Sequence, residues 1–567
     1  MRGRKQFGRA AVILTVIGAA IVFWLANRIT EHVRDHLAAG RPAATMLDGL
    51  TAAITATPWH LSLERTDLIG GAAAAVLLLL IIMYQVTGRT NRRPGEEQGS
   101  AAWGSARDIA PLSTKDASQR IQLTATEALS IDTRRTGRNI NVCVVGASGT
   151  GKTRGYVLPN LEQVAMSKAV TDPKGEIYRQ AGRHLADAGY RVDVFNLVDL
   201  THSAHFNPFA YFDPQQPEAS IAQLTECIIA NTSTERASGD GFWERAERAL
   251  LSALIAYVWA TKPEDQGSEP SLVDVVDLQK QMAASEQNSD KFHSEVDDRF
   301  AVARELVEQW RQEPNSDADE GVMKVLEFAV RQYRTFEQAA GETKKSIIIS
   351  LGVRLAPLDM SDVRTIIADD TIRLDEIGYE RTALFLAIPD THQTFKFLAA
   401  MFWQSLFEKN VYLADHEDSG QLPIGVHCFL DEFANIGKIP SFPIVISTIR
   451  SRGISASIIV QSYKQGQALW KDDWPTIVAN CDSILFLGGR DLDTNKWLSS
   501  LIGDETVTTE DISRSYGLTG SWTRAQRSVK RALMTPDEIG VMPNNLALLL
   551  IRGLRPFRSP KVKIRTT

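Results

Sequence analysis

The sequence predicts an α/β nucleotide-binding domain that is interrupted by an all-α insertion and preceded by two membrane-spanning helices. Three observations carry this expectation. Gly146-Ala147-Ser148-Gly149-Thr150-Gly151-Lys152-Thr153 satisfies every fixed position of the phosphate-loop pattern G-x-x-x-x-G-K-[ST], directly after the apolar run Ile140–Val145. Short apolar runs alternate with helical stretches on both sides of a long block without strand signals. Two segments near the N-terminus, 10–27 and 68–88, hold no charged residue.

The first apolar segment, Ala10–Asn27, is about 27 Å long as a helix and just spans a hydrocarbon core of roughly 30 Å. The second, Leu68–Gly88, spans with residues to spare. Arg2, Arg4, Lys5 and Arg9 precede the first, Arg89, Arg92 and Arg93 follow the second, and 28–67 mixes both signs. The bias of basic residues places the N-terminal 1–9 and everything beyond 88 in the cytoplasm, with 28–67 as a short extracytoplasmic loop. The expected location is therefore the cell membrane, with two spans and both termini cytoplasmic. A cleaved signal peptide fits the first segment poorly, because no small-x-small site followed by a mature start stands out after it.

Composition narrows the class. With 44% hydrophobic and 23% charged residues the chain is a folded protein rather than a disordered one. A net charge of −6 excludes a surface that is basic throughout, but leaves room for a locally basic groove or pore. Cys143, Cys227, Cys428 and Cys481 form no C-x-x-C pair and read as reduced core thiols.

Beyond the membrane segments, 89–213 reads as the first part of the nucleotide-binding domain, with strands at Ile140–Val145, Lys168–Thr171 and Tyr190–Phe195. From 214 to 357 the strand signal disappears. Phe242–Trp259 has helical period, with Leu250, Leu254 and Val258 on one stripe, and Pro357 punctuates the end of the block. The second part, 358–567, resumes with strands at Thr382–Ile388, Gly425–Leu430, Ser455–Val460, Ser483–Leu487 and Leu546–Ile551, and a helix at Thr394–Tyr412. Such alternation gives a mostly parallel sheet with helices on both faces.

The phosphate loop predicts a site for ATP with Mg²⁺. Glycines let the backbone wrap phosphate oxygens at a helix N-terminus. Lys152 is expected to reach the β- and γ-phosphates, and the Thr153 hydroxyl to bind Mg²⁺. Downstream, the apolar run Gly425–Leu430 ends in Asp431 and Glu432. Asp431 is expected to hold the Mg²⁺ water shell and Glu432 to polarise the attacking water. The helical insertion accounts for the long separation of the acidic pair from Lys152. Gln461 ends the strand after Ser447–Gly453 and is placed to sense the γ-phosphate. Arg450 or Arg452 is a candidate to enter a neighbouring subunit's site. His202 and His205 read as loop residues, since no further ligand cluster accompanies them.

These residues carry a resemblance. The chain resembles the type IV secretion coupling proteins of the TraG/TraD kind, the conjugal-transfer ATPases, through the loop Val145–Thr153 with Pro159-Asn160-Leu161 and through Thr171-Asp172-Pro173-Lys174-Gly175-Glu176. Phe206-Asn207-Pro208-Phe209, Phe242-Trp243, Phe429–Phe433 with Gly437, Ser451-Arg452-Gly453 and Gln461-Ser462 complete the set. The resemblance implies a RecA-like P-loop ATPase domain with the all-α domain inserted, assembling as a homo-hexamer under the membrane. It implies Arg450 as the arginine finger and Gln461 as the sensing glutamine. It also implies a relaxase with its attached single DNA strand as cargo, handed to the channel of a type IV secretion system. The short outer loop and the absence of a long acidic tail before Thr567 depart from the family pattern. Two alternatives remain at this stage: a translocase of double-stranded DNA of the FtsK type, and a docking receptor whose hydrolysis serves assembly.

Overall fold

The structure is a computed structural model that describes residues 9–87, 95–232, 242–262, 269–282, 293–313, 319–339, 341–514 and 522–563. The chain divides into two compact units, Met1–Glu97 with Thr508–Ser528, and Gln98–Val507 with Val529–Thr567.

In the first unit, helices Arg9–Ala38 and Arg65–Thr87 pack along one another. Their backbones approach closely at two glycines. A Cβ on Gly70 would fall 2.3 Å from Thr30 Oγ1, and one on Gly71 would fall 2.8 Å from the Phe23 carbonyl oxygen. Close approach through small residues suits helices in lipid, where dispersion and polar contacts rather than water exclusion hold them together. Leu14, Ile17, Leu77, Leu80 and Ile81 point outward, and Ile13–Ala38 and Arg65–Tyr84 are long and apolar enough to cross a bilayer.

The first helix does not stop at Asn27 but continues to Ala38, and Gly40 (φ 68°) turns the chain after it. The charges beyond Asn27 extend the helix because they find partners. Arg28 pairs with Glu31 one turn on, and Arg34 reaches the buried Asp67 at 2.8 Å. Asn27 exchanges two hydrogen bonds with the Ser62 backbone, at 3.1 and 3.0 Å. Charge counting finds the membrane-crossing stretch, whereas pairing decides where the helix ends.

The second unit is built on nine strands. They are β1 (Val142–Val145), β2 (Ser167–Pro173), β3 (Arg191–Asn196), β4 (Thr382–Ile388), β5 (Val426–Leu430), β6 (Ile454–Val460), β7 (Ser483–Phe486), β8 (Leu546–Ile551) and β9 (Phe557–Pro560). Their order across the sheet is β9-β8-β7-β1-β6-β5-β2-β4-β3. The strands from β7 to β3 run parallel, while β8 lies antiparallel to β7 and to β9. Every residue of β1, β4, β5 and β6 is buried, as expected for parallel strands covered on both faces. All eight apolar runs noted in the sequence lie in this sheet.

Between β3 and β4 the described residues contain helices and turns but no strand. The helices are Pro217–Thr232, Phe242–Thr261, Leu272–Lys280, Glu295–Gln312, Glu320–Glu337, Gly341–Leu355 and Ser361–Ile367. Leu250 and Leu254 are fully buried among them, and Phe300 stacks on Tyr333 with ring centroids 3.8 Å apart. Two elements went unread in the sequence. β9 is short, alternates buried with exposed residues and follows Pro556. The hairpin Asp504–Arg514 with Trp522–Ala532 is polar along its length, so no hydrophobic period marks it.

Candidate nucleotide site

The phosphate loop leaves the carboxyl end of β1, and the acidic pair leaves the same end of β5, two strands away across β6. In open parallel sheets this edge is where ligands bind, because loops and helix N-termini converge there. Gly149 (φ 75°) and Gly151 (φ 94°) occupy left-handed backbone that side chains rarely adopt. Gly146 is required for space, since a Cβ there would meet Thr150 Oγ1 at 2.5 Å and Leu487 Cβ at 3.1 Å. The loop is braced by the Thr150 hydroxyl donating to the Ala147 carbonyl at 2.7 Å, and by the Ala147 N–H donating to the Gly488 carbonyl at 2.9 Å. Thr153–Val157 then forms a π-helical turn that continues as the helix Leu158–Gln163.

Lys152 is buried and folded back over its own loop. Its ammonium donates to the carbonyls of Gly146 (2.9 Å) and Ala147 (3.3 Å) and lies 4.0 Å from Glu432 Oε1. The Thr153 hydroxyl donates to Asp431 Oδ2 at 3.0 Å, and the Glu432 N–H donates to Asp431 Oδ1 at 3.0 Å. Glu432 itself sits at φ 51°, ψ 47°, a conformation that costs a non-glycine residue on the order of 1 kcal/mol. The next residue, Phe433, stacks on Trp470 with centroids 5.6 Å apart, which secures the strained turn. The turn aims the Glu432 carboxylate at Gln461, whose amide donates to both oxygens at 3.1 and 3.0 Å. Gln461 directly follows β6, between the loop strand and the acidic strand.

Burial, and then the nearby Glu432 charge, push the Asp431 carboxyl up to about 6, against the opposing effects of Thr153 and Lys152. A buried carboxylate short of positive charge, touching a hydroxyl oxygen, fits a hard divalent cation such as Mg²⁺. Protonated Asp431 cannot serve such a cation. Affinity for magnesium nucleotide is therefore expected to be flat above pH 7 and to fall up to about tenfold per unit below pH 6. Titration of nucleotide binding between pH 5 and 8 at saturating Mg²⁺ checks this, and a flat profile would count against Asp431 as a ligand.

Arg450 is not brought to this cluster within the chain. It lies in the turn Ile449–Arg452, donates to the Thr133 carbonyl at 2.8 Å, and lines a cavity of about 310 Å³ with Asn141, Gly425 and Ser455. Gly425 and Ser455 stand at the amino ends of β5 and β6, so this cavity is at the opposite edge of the sheet. Arg452, the other candidate, is held by both oxygens of Asp415 at 2.7 and 2.8 Å.

Outside the cluster, Asp172 is buried and accepts the N–H groups of Ile177 and Tyr178 at 2.8 Å each, capping the helix Glu176–Asp187. His202 and His205 bind different carboxylates, Asp199 and Asp369. On the hairpin, Arg524, Lys530 and Arg531 are paired with Glu510, Asp504 and Glu538. Tyr516 and the side chains of Arg514 and Trp522 lie outside the described residues. One residue at the loop had no sequence signal: Lys561, past the unread strand β9, donates to the Thr150 carbonyl at 2.9 Å.

A parallel sheet carrying this loop, a joined acidic strand end and a glutamine on the strand between them defines a phosphate-loop nucleotide-binding protein. More narrowly, the chain belongs to the family described as type IV secretory system conjugative DNA transfer, whose model matches residues 104–564. It is 22% identical over 437 residues to VirD4 of Agrobacterium fabrum, covering 75% of this chain and 59% of VirD4. It is 22% identical over 422 residues to the conjugal transfer protein TraG of Rhizobium radiobacter, covering 73% of this chain and 60% of TraG. The chain thus spans about three fifths of the length of these curated relatives. Among solved structures, the bacterial conjugative coupling protein TrwBdeltaN70 superposes with a TM-score of 0.55 at 17% identity, covering 82% of this chain and 93% of that one. TrwB in complex with ADP and Mg²⁺ gives 0.53 at 15% identity, covering 82% and 93%. At such identities the likeness is one of fold.

Proposed function

We propose that this chain is a membrane-anchored ATPase that couples a relaxase-bound single DNA strand to a type IV secretion channel during conjugative transfer. The observation that carries the hydrolytic part is the Glu432 carboxylate, aimed by its strained backbone and held by Gln461, beside the Asp431–Thr153 pair. A site that only held nucleotide has no use for a carboxylate fixed in this way. Family membership, and the TrwB complexes with ADP and Mg²⁺ and with ATP and GTP analogues, support ATP with Mg²⁺ as the ligand.

In this reading the backbone of 146–151 and Lys152 bind the phosphates, and Thr153 and Asp431 hold Mg²⁺. The bound cation neutralises charge that builds on the phosphate oxygens. Glu432 accepts the proton of the attacking water, and Gln461 orients Glu432 and reports the presence of the γ-phosphate. The two N-terminal helices anchor the chain, with both termini on the cytoplasmic side.

Arg450 acts on the site of the next subunit in a ring, which we take to be a hexamer. Its distance from the loop of its own chain is what a group working in trans requires. Arg450→Ala is expected to lower hydrolysis by about 10²- to 10³-fold while nucleotide binding stays near wild type. Mixing Arg450→Ala chains with Lys152→Ala chains should recover part of the activity, since some interfaces then combine an intact loop with an intact arginine. No recovery in a mixed assembly would sink the trans assignment.

The cargo is tested in donor cells. Loss of this chain should reduce plasmid transfer to background, and its return should restore it. Unchanged transfer together with a defect in chromosome segregation would favour the translocase of double-stranded DNA instead.

A further inference from the structure

The C-terminal segment brings a second ammonium to the phosphate loop. β9 lies at the outer edge of the sheet, and its last residue, Pro560, pairs with Leu546 at the start of β8. Because β8 runs antiparallel to β7, this end of β9 is at the same edge as the phosphate loop. The chain leaves β9 with the Lys561 N–H donating to the Asn545 carbonyl at 2.8 Å. The Lys561 ammonium then donates to the Thr150 carbonyl at 2.9 Å and to Asn544 Oδ1 at 3.1 Å. The following residue also borders the loop helix, since the Val562 carbonyl oxygen is the atom nearest to a Cβ built on Gly155, at 3.8 Å.

Both side-chain contacts of Lys561 are with neutral oxygens, and no carboxylate pairs with it among the described residues. Half-buried, the amine is pushed down to about 8 by desolvation. An amine kept in partial burial without a counter-charge, on a loop shaped for polyphosphate, is in place to be compensated by the ligand itself.

We infer that Lys561 is a positioning residue for nucleotide: an ammonium supplied in cis by the C-terminal segment, which braces the phosphate loop and adds positive charge for the phosphates of ATP and ADP. The inference rests on the nucleotide reading proposed above and deepens it. It assigns to 561–562 a role in affinity, distinct from the role of Lys152 at the reacting phosphates. A lysine that merely tied the C-terminal segment down would serve equally well with its charge neutralised.

That difference gives the test. In the full-length protein in detergent or nanodiscs, ATP and ADP binding and ATPase kinetics are measured for Lys561→Gln, Lys561→Arg and Asn544→Asp. Asn544→Asp places a carboxylate against the ammonium, cancelling its charge while strengthening the contact. Lys561→Gln and Asn544→Asp are both expected to raise the ATP KM and the ADP Kd about tenfold, with a much smaller effect on kcat. Lys561→Arg is expected to stay within about threefold of wild type. If Asn544→Asp binds nucleotide as well as wild type, Lys561 is only a structural tie and the inference is overturned, whatever Lys561→Gln does to folding. If the wild-type protein itself fails to bind ATP, the failure belongs to the nucleotide reading rather than to Lys561.

Discussion

Lys152→Ala is expected to abolish ATP binding at millimolar nucleotide and to lower hydrolysis by at least about 10³-fold, leaving the fold intact. The ammonium is buried under the loop, within reach of the carbonyls of Gly146 and Ala147 and 4.0 Å from Glu432. Removing it takes away the cation that faces the β- and γ-phosphates, and it leaves Glu432 and Asp431 as an uncompensated negative pair beside an incoming polyanion. Charge-assisted contacts of this kind are roughly twice as strong as neutral ones, and each counts for more away from water. The loop should survive, because its shape is set by Gly146, Gly149 and Gly151 and by the Thr150–Ala147 and Ala147–Gly488 bonds, none of which involves the lysine side chain. Equilibrium nucleotide binding and thermal unfolding of the same preparation check both halves. A melting temperature lowered by more than about 10 °C would mean that Lys152 holds the loop together rather than the ligand.

Glu432→Gln is expected to separate binding from hydrolysis. The substitution keeps the size of the side chain and its hydrogen bond to Gln461 after one amide rotates, but removes the only acceptor aimed at a water in line with the γ-phosphate. General-base loss costs about 10²- to 10⁴-fold, so hydrolysis should fall within that range. ATP affinity should hold or rise. Glu432 is the second cause that keeps the Asp431 carboxyl high, so its neutralisation lets Asp431 ionise more readily and favours Mg²⁺. The pH at which magnesium nucleotide binding weakens should accordingly move down in this variant. Single-turnover hydrolysis and isothermal titration, each against pH, measure the two effects. Loss of binding in parallel with hydrolysis would place Glu432 among the ligand-holding groups.

The legible parts of this chain are those in which one residue type has one physical use. An eight-residue loop needing left-handed glycines and a buried lysine can be read from its spacing, and so can β1, β4, β5 and β6, whose apolar runs are buried on both faces. That Thr153 and Asp431, 278 positions apart, share a hydrogen bond is not written in either segment; it follows from β6 lying between β1 and β5. Elements whose role depends on partners were not legible. The first helix runs past Asn27 because Arg28 and Arg34 are paired, and the hairpin Asp504–Arg514 with Trp522–Ala532 has no apolar face to announce it. Lys561 escaped for the same reason, since only β9, a strand without a hydrophobic run, carries it to the loop. Arg450 and Arg452 could not be ranked from sequence, whereas the bidentate contact of Arg452 with Asp415 leaves Arg450 the better placed to act outside its own chain.

The central claim is that hydrolysis at Glu432 powers transfer of the DNA strand. It is tested most directly by measuring plasmid transfer from donor cells whose only copy of this chain carries Glu432→Gln, with the ATPase rate determined on protein from the same cells. The account predicts that transfer falls to the background of a deletion strain, along with hydrolysis, while the variant remains in the membrane and binds ATP. Transfer at the wild-type level in the absence of hydrolysis would contradict it and leave a docking receptor in its place.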